Sequence, residues 1–297
     1  MGELNSVRFS YAESMIDPTY YLPLAKAAEA VGFDGMVVPD SICYPEESDS
    51  TYPFSPDHTR FFLDDKPFIE PFSLIPAMGV VTETLRFITF VIKLPIRHPL
   101  LVAKQATSVA VMTNNRLALG VGSSPWPEDY EQVDVPWEGR GKRMDEALDI
   151  VKGLSAGGYF EYHGEVYDLP SVKITPTPTE RLPILIGGHG KPALRRAAQS
   201  DGWLHGGGDP EELPDLLEKL DRQREQEGTL DRPFEIHVIS LDAYSVDGVR
   251  RLEEQGVTDV IVGFRYPYDV GADTEALQTK LDNMARYAED VIEKVKS

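Results

Sequence analysis

Residues Pro183 to Arg196 combine an apolar run, the turn Gly187-Gly188-His189-Gly190 with Lys191 beside it, and a helix with Pro192 at its first position. Free backbone N–H groups at such a helix start, and the positive end of its dipole, suit an anion such as a phosphate. A tight left-handed turn that needs glycine for sterics alone would give the same residues. His189 and Lys191 favour the anion in a chain whose formal net charge is −20. A second apolar run ends in Gly120, Gly122, Ser123 and Ser124, followed by Trp126. Small residues there let a planar ring approach the backbone, and Trp126 either walls that ring or is plain packing. The run lacks the last glycine and the acidic partner of a dinucleotide fingerprint.

The ends of other apolar runs carry Glu13, Asp40, Lys93, His205, His237 and Arg265. Asp40 can hydrogen-bond a heterocycle or serve as an ordinary cap. Cys43, the only cysteine, has no evident base partner for nucleophilic work. Arg97-His98-Pro99 looks basic and functional, but Pro99 also opens a helix. Too few acids stand at the later strand ends to converge with a histidine on an ion, so no metal is expected.

These groups need a scaffold that brings strand ends together. Eight short apolar runs read as strands: Val7 to Tyr11, Gly35 to Pro39, Phe87 to Leu94, Arg116 to Gly120, Ile184 to Ile186, Gly202 to Leu204, Phe234 to Ser240 and Asp259 to Gly263. Segments of helical period alternate with them. Asp17-Pro18 opens one that ends at Gly32; Pro99 to Met112, Arg143 to Leu154 and Thr274 to Val295 are others. Eight strand–helix units fit a closed (β/α)8 TIM barrel better than an open doubly wound sheet, and the functional mouth of a barrel is at the strand C-termini. Two insertions are expected. Ile42 to Phe72, after strand two, is far longer than a βα loop and reads as a lid or pocket wall. Gly157 to Pro183, before strand five, reads as a hairpin excursion. With neither repeat nor linker visible, residues 1–297 are expected to be one domain.

Acidic residues number 49 against 29 Lys plus Arg, which argues against nucleic acid or an anionic membrane as partner. No apolar run approaches the length of a membrane span. Met1 to Ser10 lacks a charged leader with an apolar stretch, and the chain reads as cytoplasmic.

At these residues the sequence resembles the luciferase-like monooxygenase superfamily, and within it the coenzyme F420-dependent oxidoreductases. The likeness runs from about Phe9 to Val262. It rests on Ala27 to Asp34, Leu94 to Pro99 with Ala103-Lys104-Gln105, Arg116 to Gly122, Arg140 to Glu146, the glycine turn with Ala193 to Ala198, and Asp201-Gly202-Trp203. It implies a TIM barrel, usually dimeric, with an isoalloxazine-type ring at the mouth. Asp40, Phe90, Val91, Gly122, Ser123, Ser124 and Gly187 to Gly190 would line that ring, with a bulge and a non-prolyl cis peptide near Phe90 and Val91. Two positions depart from the pattern: many relatives have histidine where Ser41 stands, and Phe90 replaces a small or polar residue. The segment Trp126 to Tyr130 resembles the deazaflavin subgroup. The resemblance thus implies an oxidoreductase that moves hydride between coenzyme F420 and a small organic substrate, with Asp40, Glu13 and His205 as candidates for the accompanying proton. The alternatives are an FMN-dependent monooxygenase fed by a separate reductase, and a non-catalytic flavin-binding protein.

Overall fold

The computed structural model describes residues 7–297 apart from 53 and 56. Its strands are β1 (Arg8–Ala12), β2 (Gly35–Val38), β3 (Arg86–Thr89), β4 (Ile92–Lys93), β5 (Leu117–Gly122), β6 (Phe160–His163), β7 (Asp168–Val172), β8 (Ile184–Gly187), β9 (Gly202–Leu204), β10 (Glu235–Ile239) and β11 (Asp259–Val262). Its α-helices are α1 (Tyr21–Ala30), α2 (Pro71–Val80), α3 (Pro99–Met112), α4 (Pro127–Glu131), α5 (Arg140–Ser155), α6 (Lys191–Ala198), α7 (Leu213–Gln226), α8 (Val246–Glu254), α9 (Leu277–Tyr287) and α10 (Glu293–Lys296). Apart from the antiparallel pair β6–β7, the strands form one parallel sheet in the order β3-β2-β1-β11-β10-β9-β8-β5-β4. A further β3–β5 pairing closes it into the expected barrel. Every residue of β2, β5, β9 and β11 is buried, as strands covered by helices outside and side chains inside must be.

The expected third strand, Phe87 to Leu94, is not continuous. Ile88 to Ile92 takes four steps while its partner β5 takes three, from Ala118 to Val121, so one residue bulges out of the ladder. The bulge falls at Phe90–Val91, whose peptide is cis. The strand then stops at Lys93 and turns through Leu94–Ile96, where Pro95 has no N–H for a ladder. The first helix is also shorter than expected. Pro18–Tyr20 forms a separate 3-10 turn capped by Asp17, because Pro23 is tolerated only in the first turn of an α-helix that starts at Tyr21. In the stretch Thr274 to Val295, α9 begins at Leu277 and widens into a π-turn at Ala288–Ile292 before α10.

Inside the barrel, Val37, Ile88, Ala118, Leu185, Leu204 and Ile261 form an apolar layer, with Ala12, Phe90 and Val91 packed on its mouth side. Below it, the strand starts carry charge. Arg8 donates through Nε and Nη2 to Asp259 (2.8 and 2.7 Å), and Arg86 through both Nη atoms to Glu235 (2.8 Å each). His237 Nε2 lies 2.8 Å from Glu235 Oε2. Glu235, His237 and Asp259 present ligand atoms close enough to converge on a cation. Arg8 and Arg86 already hold both carboxylates, and their charges would repel one. This network plugs the barrel floor. Burial pushes the Glu235 carboxyl up, but bonds with His237 and Arg86 outweigh it and hold it far below its ordinary range.

The excursion before β8 is the β6–β7 hairpin, as expected. Its turn is tied to α5 by Glu146, a buried carboxylate that accepts the N–H groups of Glu165, Val166 and Tyr167 at 2.9–3.0 Å. On the opposite side of β8, Trp203 and His205 point outward from β9. The His205 ring stacks on His189 with centroids 4.7 Å apart and 7° between planes, and lies 5.5 Å from Trp203. Neither of its ring nitrogens has a hydrogen-bond partner among the described residues. Burial, with His189 alongside, pulls its pKa down to about 4.

Two pH windows follow. A histidine with a lowered folded-state pKa supports the fold fully above its ordinary 6.5 and loses that support as pH falls toward 4. Urea unfolding midpoints of the wild type should fall across this window, and those of His205→Phe should fall less steeply. Glu235 supports the fold above its ordinary 4.5 and loses that support only in stronger acid. Glu235→Gln should therefore cost about 3 kcal/mol at pH 7, as when one partner of a buried ion pair is removed, with the deficit shrinking below pH 4.5. A deficit that stays constant down to pH 3 would contradict the plug as described.

Candidate active site

At the mouth side of β5 and β8 lies a cavity of about 480 Å³, within the usual range for small-molecule sites. Two helix starts converge on it. Gly190 caps α6 without a side-chain acceptor, and Pro192 stands in its first turn, one place later than the helix opening suggests. Gly188 has φ +117°, a conformation that other residues enter only with strain, and a Cβ there would meet that of Ala193 at 3.1 Å. Across the cavity, α5 begins at Arg140, three residues before the expected Arg143, behind the left-handed cap Gly139. First-turn N–H groups of both helices lack intrahelical partners, and both dipoles present their positive ends here. Two guanidinium groups add charge. Arg140 lies 3.7 Å over the Trp137 ring, while Arg196 is braced by Asp145 (2.6 Å) and Gly141 O (3.0 Å). Arg140, Gly139 and Arg196 are absent from the candidates read from the sequence, although Arg140-Gly141-Lys142-Arg143, a basic helix start in an acidic chain, signals them.

Of the expected residues, Gly122, Ser123, Gly187, Gly188 and Gly190 line this cavity. Val91 fills the space that Cβ atoms at Gly122 and Gly187 would occupy, with clearances of 2.8 and 2.9 Å. Phe90 packs beside it in the barrel interior. His189 turns its ring to His205 and to Phe54, and its Nε2 accepts the Gly206 N–H (3.2 Å). Trp203 Nε1 donates to Gly188 O (2.8 Å), so the two outward side chains of β9 support the glycine turn from behind.

The three proton-transfer candidates are separated. Asp40 forms a bidentate pair with Arg97 (2.8 and 2.9 Å) and accepts the Lys93 N–H (3.1 Å), its side chain 1% exposed. Glu13 accepts from Tyr11 Oη (2.9 Å) and lies 3.4 Å from both Arg265 and Lys280. His205 lies behind His189. Ser124 donates to Asp129, a residue the sequence reading passes over, and Asp129 also pairs with Lys93 (2.6 Å).

The lid expected over Ile42 to Phe72 crosses the mouth and ends as α2 begins at Pro71. Tyr52, Phe54 and Phe62 of the lid form an aromatic cluster with Trp126 and Tyr268. Trp126 Nε1 donates to Thr51 O (3.0 Å), and Lys66 donates to Gly271 O in the loop after β11. Arg60 covers Trp126 at 4.4 Å. Trp126 is thus a post under the lid.

No helix among the described residues is long and apolar enough to cross a membrane. An uncharacterized protein of Mycobacterium tuberculosis is 62% identical over 97% of this chain and all of its own length. An F420-dependent glucose-6-phosphate dehydrogenase of Microbacterium testaceum is 29% identical over 75% of this chain and 66% of its own. The coenzyme F420-dependent tetrahydromethanopterin reductase of Methanopyrus kandleri superposes with a TM-score of 0.73 at 15% identity, covering 98% of this chain and 100% of that one. The family pattern of luciferase-like monooxygenases matches residues 5–261, and with its closed parallel barrel and the mouth built on β5 and β8, the chain belongs to that family.

Proposed function

We propose that the protein is an oxidoreductase that transfers hydride between coenzyme F420 and a small organic substrate held beneath the lid. The observation that carries this reading is the convergence of two helix N-termini, Arg140 and Arg196 on one cavity beside the bulge. That donor set fits a phosphate-bearing cofactor tail. The deazaflavin, when bound, supplies the hydride chemistry at its C5 position. The chain supplies orientation, a covered mouth and hydrogen bonds. Ser123 offers a hydroxyl in the cavity. Asp40 and Glu13 hold their charges in pairs with cations, so a proton role for either requires opening that pair.

A second reading, an FMN-dependent monooxygenase, draws on the family itself, and FMN would use the same phosphate seat. Titration of the apo-protein with F420 and with FMN separates them, and F420 should bind more tightly. Arg140→Ala should weaken binding about tenfold or more, the loss expected when one charge-assisted hydrogen bond is removed. Gly188→Asp should abolish binding while leaving the circular dichroism spectrum unchanged. Micromolar FMN binding without measurable F420 binding would carry the monooxygenase reading instead. Undiminished binding by both variants would move the phosphate elsewhere.

A further inference from the structure

Lys93 ends β4, just beyond the bulge, and pairs in register with Gly122, which lines the cavity. Its side chain is 7% exposed and its Nζ lies 2.6 Å from Asp129 Oδ2, on a side chain 2% exposed. The same oxygen accepts the Ser124 hydroxyl, whose Oγ accepts the Trp126 N–H (3.1 Å), and the Trp126 ring lies 4.9 Å from Lys93 Nζ. Removing two charges from water is costly, and apolar side chains of similar volume often stabilise a fold as well or better. The strand end has no need of this pair as an anchor, because Asp40 already ties the Lys93 backbone and Arg97 to the end of β2.

We propose that Lys93 and Asp129 bias the reduction potential of the cofactor ring at this mouth in opposite directions, and that their pairing holds the two effects in balance. The inference rests on the reading of the cavity as the cofactor seat. Hydride transfer brings the ring two electrons and one proton, so it gains one negative charge; the oxidised substrate loses those electrons with its hydride and releases its remaining proton to water. A fixed cation nearby favours the reduced ring and a fixed anion the oxidised one. With both present their fields largely cancel, and removing either exposes the other.

The test measures dissociation constants of oxidised and reduced F420, or of FMN if only FMN binds, for the wild type, Lys93→Met, Asp129→Asn and the charge-neutral double variant. The ratio of the two constants reports the potential of the bound cofactor, and a tenfold change corresponds to about 30 mV for a two-electron couple. Lys93→Met should lower the preference for the reduced form about tenfold and Asp129→Asn should raise it about tenfold, with the double variant returning close to wild type. Lys93→Arg, which keeps the cation, should hold the wild-type ratio. No shift in either single variant, or shifts of the same sign, would overturn the proposal. Should those single variants not fold, Lys93→Gln and Asp129→Ser, which keep a polar group in the pair's place, take over: opposite shifts of the ratio would support the proposal and unchanged ratios would overturn it. A wild type that binds neither cofactor would overturn the cofactor reading, a result distinct from unchanged ratios in proteins that do bind.

Discussion

The seam where β3 and β4 meet β5 is the tightest constraint in the molecule. At Gly120 a Cβ would stand 1.9 Å from Thr89 O, so the two strands approach only because that residue has no side chain. Thr89 Oγ1 then donates to Gly120 O (2.7 Å) and fixes the approach. Closure of the barrel depends on this contact, and so does the placement of the bulge immediately beyond it. The bulge puts Val91 against Gly122 and Gly187, on the two strands that carry the cavity. Architecture and site thus share one set of steric requirements, and the glycines on β5 and β8 serve both.

The barrel was legible because fully buried parallel strands are short apolar runs with glycine, proline or a charge at each end. The break in the third strand was not legible from periodicity. Phe87 to Leu94 is apolar apart from Thr89 and Lys93, and a bulge changes register without changing composition; only the family resemblance pointed to Phe90 and Val91. The glycine turn after β8 was readable as a local motif. Its counterpart at Arg140 was hidden because Gly139, Arg140 and Gly141 read as loop, so the helical pattern was placed from Arg143. Asp129 went unread for a different reason: its partner Lys93 belongs to another strand, and such pairs exist only after folding. His205 follows β9 as expected, but so short a strand carries no mark of which face the next residue takes.

Charge is sorted along the barrel axis. At the floor Arg8 and Arg86 are paired with Glu235 and Asp259. At the mouth, Asp40 with Arg97 and Asp129 with Lys93 brace the end of β4, while Arg140 faces Trp137 and leaves its charge available to the cavity. The Glu146 carboxylate, clasped by three amides of the β6–β7 hairpin, holds α5 from its other side. That helix supplies one wall of the cavity, so the hairpin acts on the cavity through it.

The two sides of the mouth are built by different parts of the chain. The seat is the cavity wall on β5, β8 and the starts of α5 and α6, whereas the cover comes from the loops after β2 and β11, which Lys66 and the aromatic cluster join to each other and which meet the barrel through Trp126 and Glu128. Mutations in the cover can therefore accumulate without disturbing the seat. Sequence divergence among relatives built this way should concentrate in the stretch from Ile42 to Glu70 and beyond Gly263.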